Sequence, residues 1–296
     1  MDNFSLLERI GNAIIINASL LPSIGLSNGK IACAMAAYKL YKHTNNSVYE
    51  ETADELIDMV FDEINLSMPV GFYSGVTGIG CGIEYIIQQK FVDADSNEIL
   101  EDLDETVFQT DRNKYKYAES TQEFFGTGWY YLMRAKNNNN LETDFQKFAT
   151  YILTDELPKS EDVSNSFLIS LLGVVFKTRH LFPESLINNM VEYVDKKLDR
   201  ENIDIVSEYM LGKFVENTEY SALMQVPGMK KLKGVDLVTA CFNFACYNLA
   251  FPEITNQIKP YMSEELNNAF NCEDERDILF SNIGLIGLAG YTFILI

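Results

Sequence analysis

A chain of 296 residues that is 47% hydrophobic can bury a large core, so wholesale disorder is excluded. Its 43 acidic side chains against 23 basic ones leave a formal charge of -20. That charge repels phosphate backbones and anionic lipid heads, which makes nucleic acid and membrane surfaces poor partners, and it welcomes a cationic one such as a basic peptide.

Residues 10–24, IGNAIIINASLLPSI, are apolar, but the segment before them holds Asp2 and Glu8 with only Arg9 as a cation. The basic flank of a signal peptide is missing. No apolar run approaches the ~20 residues that span a bilayer, so a cytoplasmic protein is expected. The five cysteines, Cys33, Cys81, Cys241, Cys246 and Cys272, contain no CxxC pair. Three of them sit in apolar runs, as reduced cysteines do when they act as small hydrophobes.

The first element, GLSNGKIACAMAAYKLY from Gly25, predicts a nearly all-apolar helix with Lys39, Lys42 and His43 at its end, where cations suit the negative helix terminus. The next, SVYEETADELIDMVFDEI (Ser47–Ile64), places Ala53, Leu56, Ile57, Val60 and Ile64 on one face and carboxylates on the other. GFYSGVTGIGCGIEYII from Gly71 is apolar again. Its G-x-x-x-G frame, Gly71/Gly75, repeats Gly25/Gly29 after 46 residues, the separation from Gly25 to Gly71. In FVDADSNEI, Asp93 and Asp95 resemble a metal-binding DxD but read better as a cap for the amphipathic SNEILEDLDETVF.

A third apolar copy, FFGTGWYYLMRA, carries Gly126 and Gly128, and LETDFQKFATYIL follows it. A fourth, SNSFLISLLGVVFKTRH from Ser164, ends in Lys177, Arg179 and His180 and precedes PESLINNMVEYVDKKL. The fifth is GVDLVTACFNFACYNLAF from Gly234, followed by SEELNNAF, and the last is SNIGLIGLAGYTFILI at the end of the chain. Ser47, Ser96, Ser185 and Ser263 stand as capping residues at the starts of the half-polar helices.

An all-apolar helix must be enclosed on every side, whereas an amphipathic one can face water. Their alternation at a fixed period, without a convincing strand, predicts an all-α fold: an α/α toroid in which apolar helices form the inner layer of a closed ring. Six hairpins are countable over a single domain, 1–296, with an irregular insertion at 201–233 that could hide a seventh. The lysine-rich MQVPGMKKLKG in that insertion reads as a solvated loop or a basic contact surface. The glycines fall where inner helices start and converge on the ring's mouth, and there small residues let backbones approach. No strand precedes SGVTGIGCG and no Lys-Ser/Thr follows it, so it is a poor phosphate cradle.

GLSNG (Gly25–Gly29), SGVTGIGCGIEYI (Ser74–Ile86) and GLIGLAG (Gly284–Gly290) resemble the glycine-marked inner-helix starts of the lanthionine synthetase C-like family. The resemblance implies a role in maturing ribosomally made peptides. It also implies, for the family's cyclases, addition of a peptide thiol to a dehydrated serine or threonine with a zinc ion that makes thiolate at neutral pH. The family's zinc is held by a cysteine and, further on, an adjacent Cys-His pair. This sequence contains no Cys-His pair, and its two histidines, His43 and His180, sit among basic residues at helix ends. The nearest substitutes are Cys81, Cys241 and Cys246, but Cys241 and Cys246 point ~140° apart on one helix. The expectation is therefore a zinc-less member without cofactor, acting as a binding or accessory protein toward a peptide substrate or a peptide-modifying enzyme. An active cyclase with unusual zinc ligands is one alternative.

A second alternative is a carbohydrate-active α/α barrel, which needs paired carboxylates at the mouth. Glu123 and Asp236 are its candidates, with Glu84 deeper in its helix and Tyr73, Trp129 and Tyr130 as stacking aromatics. For a binding mouth, the candidate lining is Asn28, Tyr73, Ser74, Thr127, Trp129, Ser281 and Asn282.

Overall fold

The structure, a computed structural model, describes residues 3–65, 67–108, 120–159, 163–216, 218–221, 235–272, 279–281, 283–285 and 287–296. Among them there is no strand. In chain order the helices are α1 (Asn3–Asn17), α2 (Lys30–Thr44), α3 (Ser47–Glu63), α4 (Val76–Gln88), α5 (Ser96–Ile99), α6 (Glu101–Phe108) and α7 (Ser120–Arg134). They continue with α8 (Glu142–Tyr151), α9 (Asn165–Lys177), α10 (Glu184–Lys197), α11 (Ile205–Val215), α12 (Val235–Ala250), α13 (Pro252–Phe270) and α14 (Leu288–Leu295).

The two helix types predicted from hydropathy occupy two layers. α2 buries every residue from Lys30 to Tyr38, α4 every residue from Val76 to Ile86, and α9 every residue from Phe167 to Val175. Such helices are enclosed all round. α3 buries only Tyr49, Ala53, Leu56 and Val60, and α10 only Ile187, Met190, Val191 and Val194, one stripe each. Ile57 and Ile64, also expected on the α3 stripe, are half-buried at its edge.

Neighbouring inner helices touch in the order α2, α4, α7, α9, α11, α12, α14 and back to α2, which closes a ring of seven among the described residues. The seventh, α11, lies inside the stretch 201–233 that reads as irregular. Asp204 starts it, its carboxylate accepting hydrogen bonds from the Val206 and Ser207 amides, each at 3.1 Å. The lysine-rich MQVPGMKKLKG lies outside the described residues. On the outside, α1 packs against α14 and α2, so the first helix covers the last inner one and the ring is sealed where the chain's two ends meet.

Several predicted starts move by one residue or more. Asn46 and Asp95, not Ser47 and Ser96, cap α3 and α5, accepting from the Val48 and Asn97 amides. Pro183 precedes α10 in place of a Ser185 cap. Ser263 starts nothing. α13 begins at Pro252, where the missing N–H is harmless, and runs through Pro260 to Phe270.

One buried polar cluster ties α4, α5, α6 and α7 together. Arg134 has no exposed side-chain surface, and all five of its N–H donors are used. Its Nε and one terminal nitrogen bridge Asp104 Oδ1 and Oδ2 at 3.1 and 2.6 Å. Its other terminal nitrogen reaches Glu84 Oε2 at 2.9 Å and Ser96 Oγ at 3.1 Å, and Asn97 Oδ1 takes the fifth donor at 3.2 Å. Tyr130 donates to Asp104, and Gln88 and Asn137 donate to Glu84. Glu84 is thus a structural ion-pair member deep in the wall and not a mouth carboxylate.

Candidate functional site: the mouth of the ring

The inner helices run parallel, because their starts touch one another and so do their ends. A Cβ on Gly25 would lie 2.6 Å from Ser74 Cα, and one on Gly284 would lie 2.5 Å from Asn28 Cα. The Ser27 amide donates to the Tyr73 carbonyl at 2.8 Å, a backbone bond between successive repeats. At Gly78 a Cβ would run into the Phe72 carbonyl oxygen. The glycines of SGVTGIGCG therefore answer to packing: backbone lies against backbone where the helix starts converge.

This crowding brings Asn28, Tyr73, Ser74 and Ser281 to one side of the mouth. Asn28, Ser74 and Ser281 are exposed and Tyr73 is half-buried. The Tyr73 ring meets Phe242 of α12 at 5.8 Å, and its phenol is pushed up to about 12, first by burial and then by Cys246. Thr127 and Trp129 do not line the mouth; both are completely buried. Trp129 packs between Phe72, Tyr247 and Phe251 with ring centroids 5.3, 5.4 and 6.1 Å away, and this aromatic group fills the middle of the ring below the mouth. A large ring at an inner position is drawn into that space because it removes more apolar area from water there than at the rim. Tyr130 is buried too, its hydroxyl committed to Asp104. Asn282 and the side chain of Glu123 lie outside the described residues.

Opposite Asn28 and Ser74, the starts of α9, α11 and α12 enclose a cavity of about 530 Å³, within the range of ligand pockets. Glu201, Asp204, Glu208 and Asp236 border it with Asn165, Asn243 and Thr239, and its described lining holds no Lys, Arg or His. Asp204 is held by the α11 amides and by Asn243, which donates to its second oxygen at 2.9 Å. Asn165 is fixed through its amide to the Asp199 backbone in both directions. Asp236 is exposed on the rim of the first turn of α12. Of these residues only Asp236 stood out in the sequence. The signal for the others was the Asp204 cap ahead of the apolar IVSEYMLGKFV.

The thiols do not gather into a metal site. Cys81, Cys241 and Cys246 are all buried, and burial pushes each thiol well above its ordinary range. Cys81 and Cys246 are neighbours across the ring, an ionised Cys81 raising Cys246 further, whereas Cys241 faces Tyr291 of α14. Zinc demands deprotonated ligands in a polar, tetrahedral set. Among the described residues no group of three or more His, Cys, Asp or Glu is placed to hold a metal ion. His43 is exposed, and His180 is exposed beside Glu142, 3.6 Å away. The donor set present does not fit the zinc of the family's cyclases.

Among the described residues no helix is long and apolar enough to cross a membrane. A family model described as lanthionine synthetase C-like protein matches residues 23–202. That is more than half of the chain, and it spans the glycine-marked starts of α2 and α4 and the α7 and α9 repeats, so the chain belongs to the lanthionine synthetase C-like family. A comparison with curated proteins finds no match.

Proposed function

We propose that this chain is a zinc-less binding or accessory member of its family, acting in the cytoplasm in the maturation of ribosomally made peptides. Its mouth holds a basic stretch of a peptide substrate or of a peptide-modifying enzyme. The observation that carries this reading is the cavity at the starts of α9, α11 and α12, bordered by four carboxylates and no cation among its described lining residues. Such a site attracts lysine and arginine side chains, and the chain's charge of -20 steers them toward it. The exposed polar rim at Asn28, Ser74 and Ser281 supplies hydrogen-bonding partners for a peptide backbone on the facing side. The poor fit of the cysteines to zinc supports the non-cyclase half of the reading.

The test uses a fluorescent lysine-rich peptide and its glutamine-substituted twin, titrated against the protein and the Asp236→Asn, Glu208→Gln double variant. The lysine peptide is expected to bind saturably and the double variant to bind it about tenfold more weakly, the loss of two charge-assisted contacts. Equal binding of both peptides, or of both proteins, refutes a charge-reading mouth. Elemental analysis of the purified protein settles the metal: one zinc per chain, lost in Cys81→Ala, Cys246→Ala, would restore the cyclase.

A further inference from the structure

Three inner helices turn polar residues toward one another at the floor of the acidic cavity. α9 contributes Ser166 and Ser170 and α12 contributes Asn243 and Tyr247, each pair one helical turn apart, while Asp204 and Ser207 open α11. The Tyr247 hydroxyl donates to the Ser166 carbonyl at 3.3 Å, and Ser170 Oγ stands 3.4 Å from that hydroxyl. Ser166, Asp204 and Asn243 line the cavity itself. The Asn243 amide donates to Asp204 Oδ2 at 2.9 Å, so α11 and α12 meet through these two side chains.

The hydrogen bonds at this floor leave a definite remainder. A carboxylate offers about four lone-pair sites. Asp204 Oδ1 takes the Val206 and Ser207 amides and Oδ2 takes Asn243, which leaves one site on Oδ2 and none on Oδ1 among the described residues. Asn243 is only 8% exposed, and its Oδ1 accepts from no described residue. Just behind Asp204, Ser207 Oγ is completely buried and has no hydrogen-bond partner among the described residues. Buried polar atoms in a folded chain are normally paired. The floor therefore holds acceptors that no described donor of this chain satisfies, set on separate residues, with Glu208 and Asp236 bordering the cavity.

We propose that Asp204 and Asn243 form a subsite for a primary ammonium, so that the cavity selects lysine over arginine; this rests on the reading of the mouth as a site for a basic stretch. A guanidinium gains its advantage by laying two parallel N–H groups on the two oxygens of one carboxylate. Asp204 refuses that fork, because Oδ1 is filled by the α11 amides and Oδ2 has one site left. An ammonium is a compact charge with three donors spread around it, and it meets single acceptors on different residues. Asp204 Oδ2 and Asn243 Oδ1 supply two such acceptors. Asp236 is exposed on the rim, where an ion pair with either cation is screened and adds little discrimination. Asp204 thus serves two purposes, starting α11 with one oxygen and facing the ligand with the other.

The test titrates the full chain with four fluorescent peptides of one length, carrying lysine, arginine, trimethyllysine or glutamine at the same positions. The lysine peptide is expected to bind about tenfold more tightly than the arginine peptide, the worth of one charged hydrogen bond. Trimethyllysine keeps the charge and loses the donors, and it is expected to bind no better than arginine. Asp204→Asn keeps a residue that caps α11 and should erase the preference by weakening lysine binding about tenfold. Asn243→Leu frees Asp204 Oδ2 and should narrow or reverse the preference, whereas Asp236→Asn should weaken lysine and arginine peptides alike. Circular dichroism checks the folding of each variant, and the peptide comparison on the unaltered protein needs none. Arginine or trimethyllysine binding as tightly as lysine, or a preference unchanged in Asp204→Asn, would overturn the ammonium subsite and leave the basic-peptide reading standing. Lysine and arginine peptides that both bind no better than the glutamine peptide would overturn that reading, and the subsite with it.

Discussion

Replacing Arg134 by methionine isolates what the buried cluster contributes. The side chain has no exposed surface, and its two carboxylate partners are 0% and 10% exposed. Methionine fills most of the volume, so the cavity term is small and the electrostatic term decides the outcome. Removing one partner of a buried ion pair costs about 3–5 kcal/mol, because the remaining charge stays desolvated and unpaired. Here two carboxylates, Glu84 and Asp104, are stranded at once, although Gln88, Asn137 and Tyr130 still donate to them. The upper half of the range is therefore expected, about 4–5 kcal/mol, or a fall in melting temperature on the order of 10 °C for a chain of this size. The assay is guanidinium unfolding followed by circular dichroism, with calorimetry as a second probe. Adding Glu84→Gln to the variant removes one stranded charge and should recover part of the loss. A loss below about 1 kcal/mol, or no recovery in the double variant, would refute the claim that this cluster is an enclosed ion-pair network.

Two glycines with opposite surroundings should respond with opposite signs to alanine. Gly78→Ala drives a Cβ into the Phe72 backbone and should destabilise by about 1–3 kcal/mol, whereas Gly212→Ala in α11, with open space around the new atom, should stabilise by up to about 1 kcal/mol. Denaturant midpoints decide this, and the same sign for both would undo the packing account of the glycines. The buried thiols make a pH prediction. Burial pushes Cys33 up to about 12 and raises Cys81, Cys241 and Cys246 as well, so the unfolded chain releases these protons first. Stability is then fully present below the ordinary thiol range and lost above about pH 9, by about 6–8 kcal/mol for the four thiols by pH 10, partly offset by Lys39, whose ammonium burial holds down at about 8. Unfolding at pH 8 and pH 10 measures it; Cys33→Ala should shrink the difference, and a flat profile would contradict it.

Much of the fold was legible in the residues themselves. Hydropathy separated α2, α4, α9 and α14 from α3 and α10, since an enclosed helix and a half-exposed one must differ around their circumference. The glycine phrases placed the crowded starts, because only a missing Cβ lets backbones meet as they do at Gly25 and Gly284. Local chemistry misled where two residues could serve equally, as with Asn46 and Ser47 at the α3 cap, or where a serine merely sat inside a longer helix, as at Ser263.

The site was legible only in part. The sequence alone determined the acidity, the absence of a Cys-His pair and the exposure of polar residues at helix starts such as Asn28, Ser74 and Asp236. Tertiary structure decided the rest. It turned Trp129 inward and put α11 into the ring so that Asp204 and Glu208 border a cavity with Asp236. Periodicity reports which face of a helix is buried; which helices those faces meet is settled only when the ring closes.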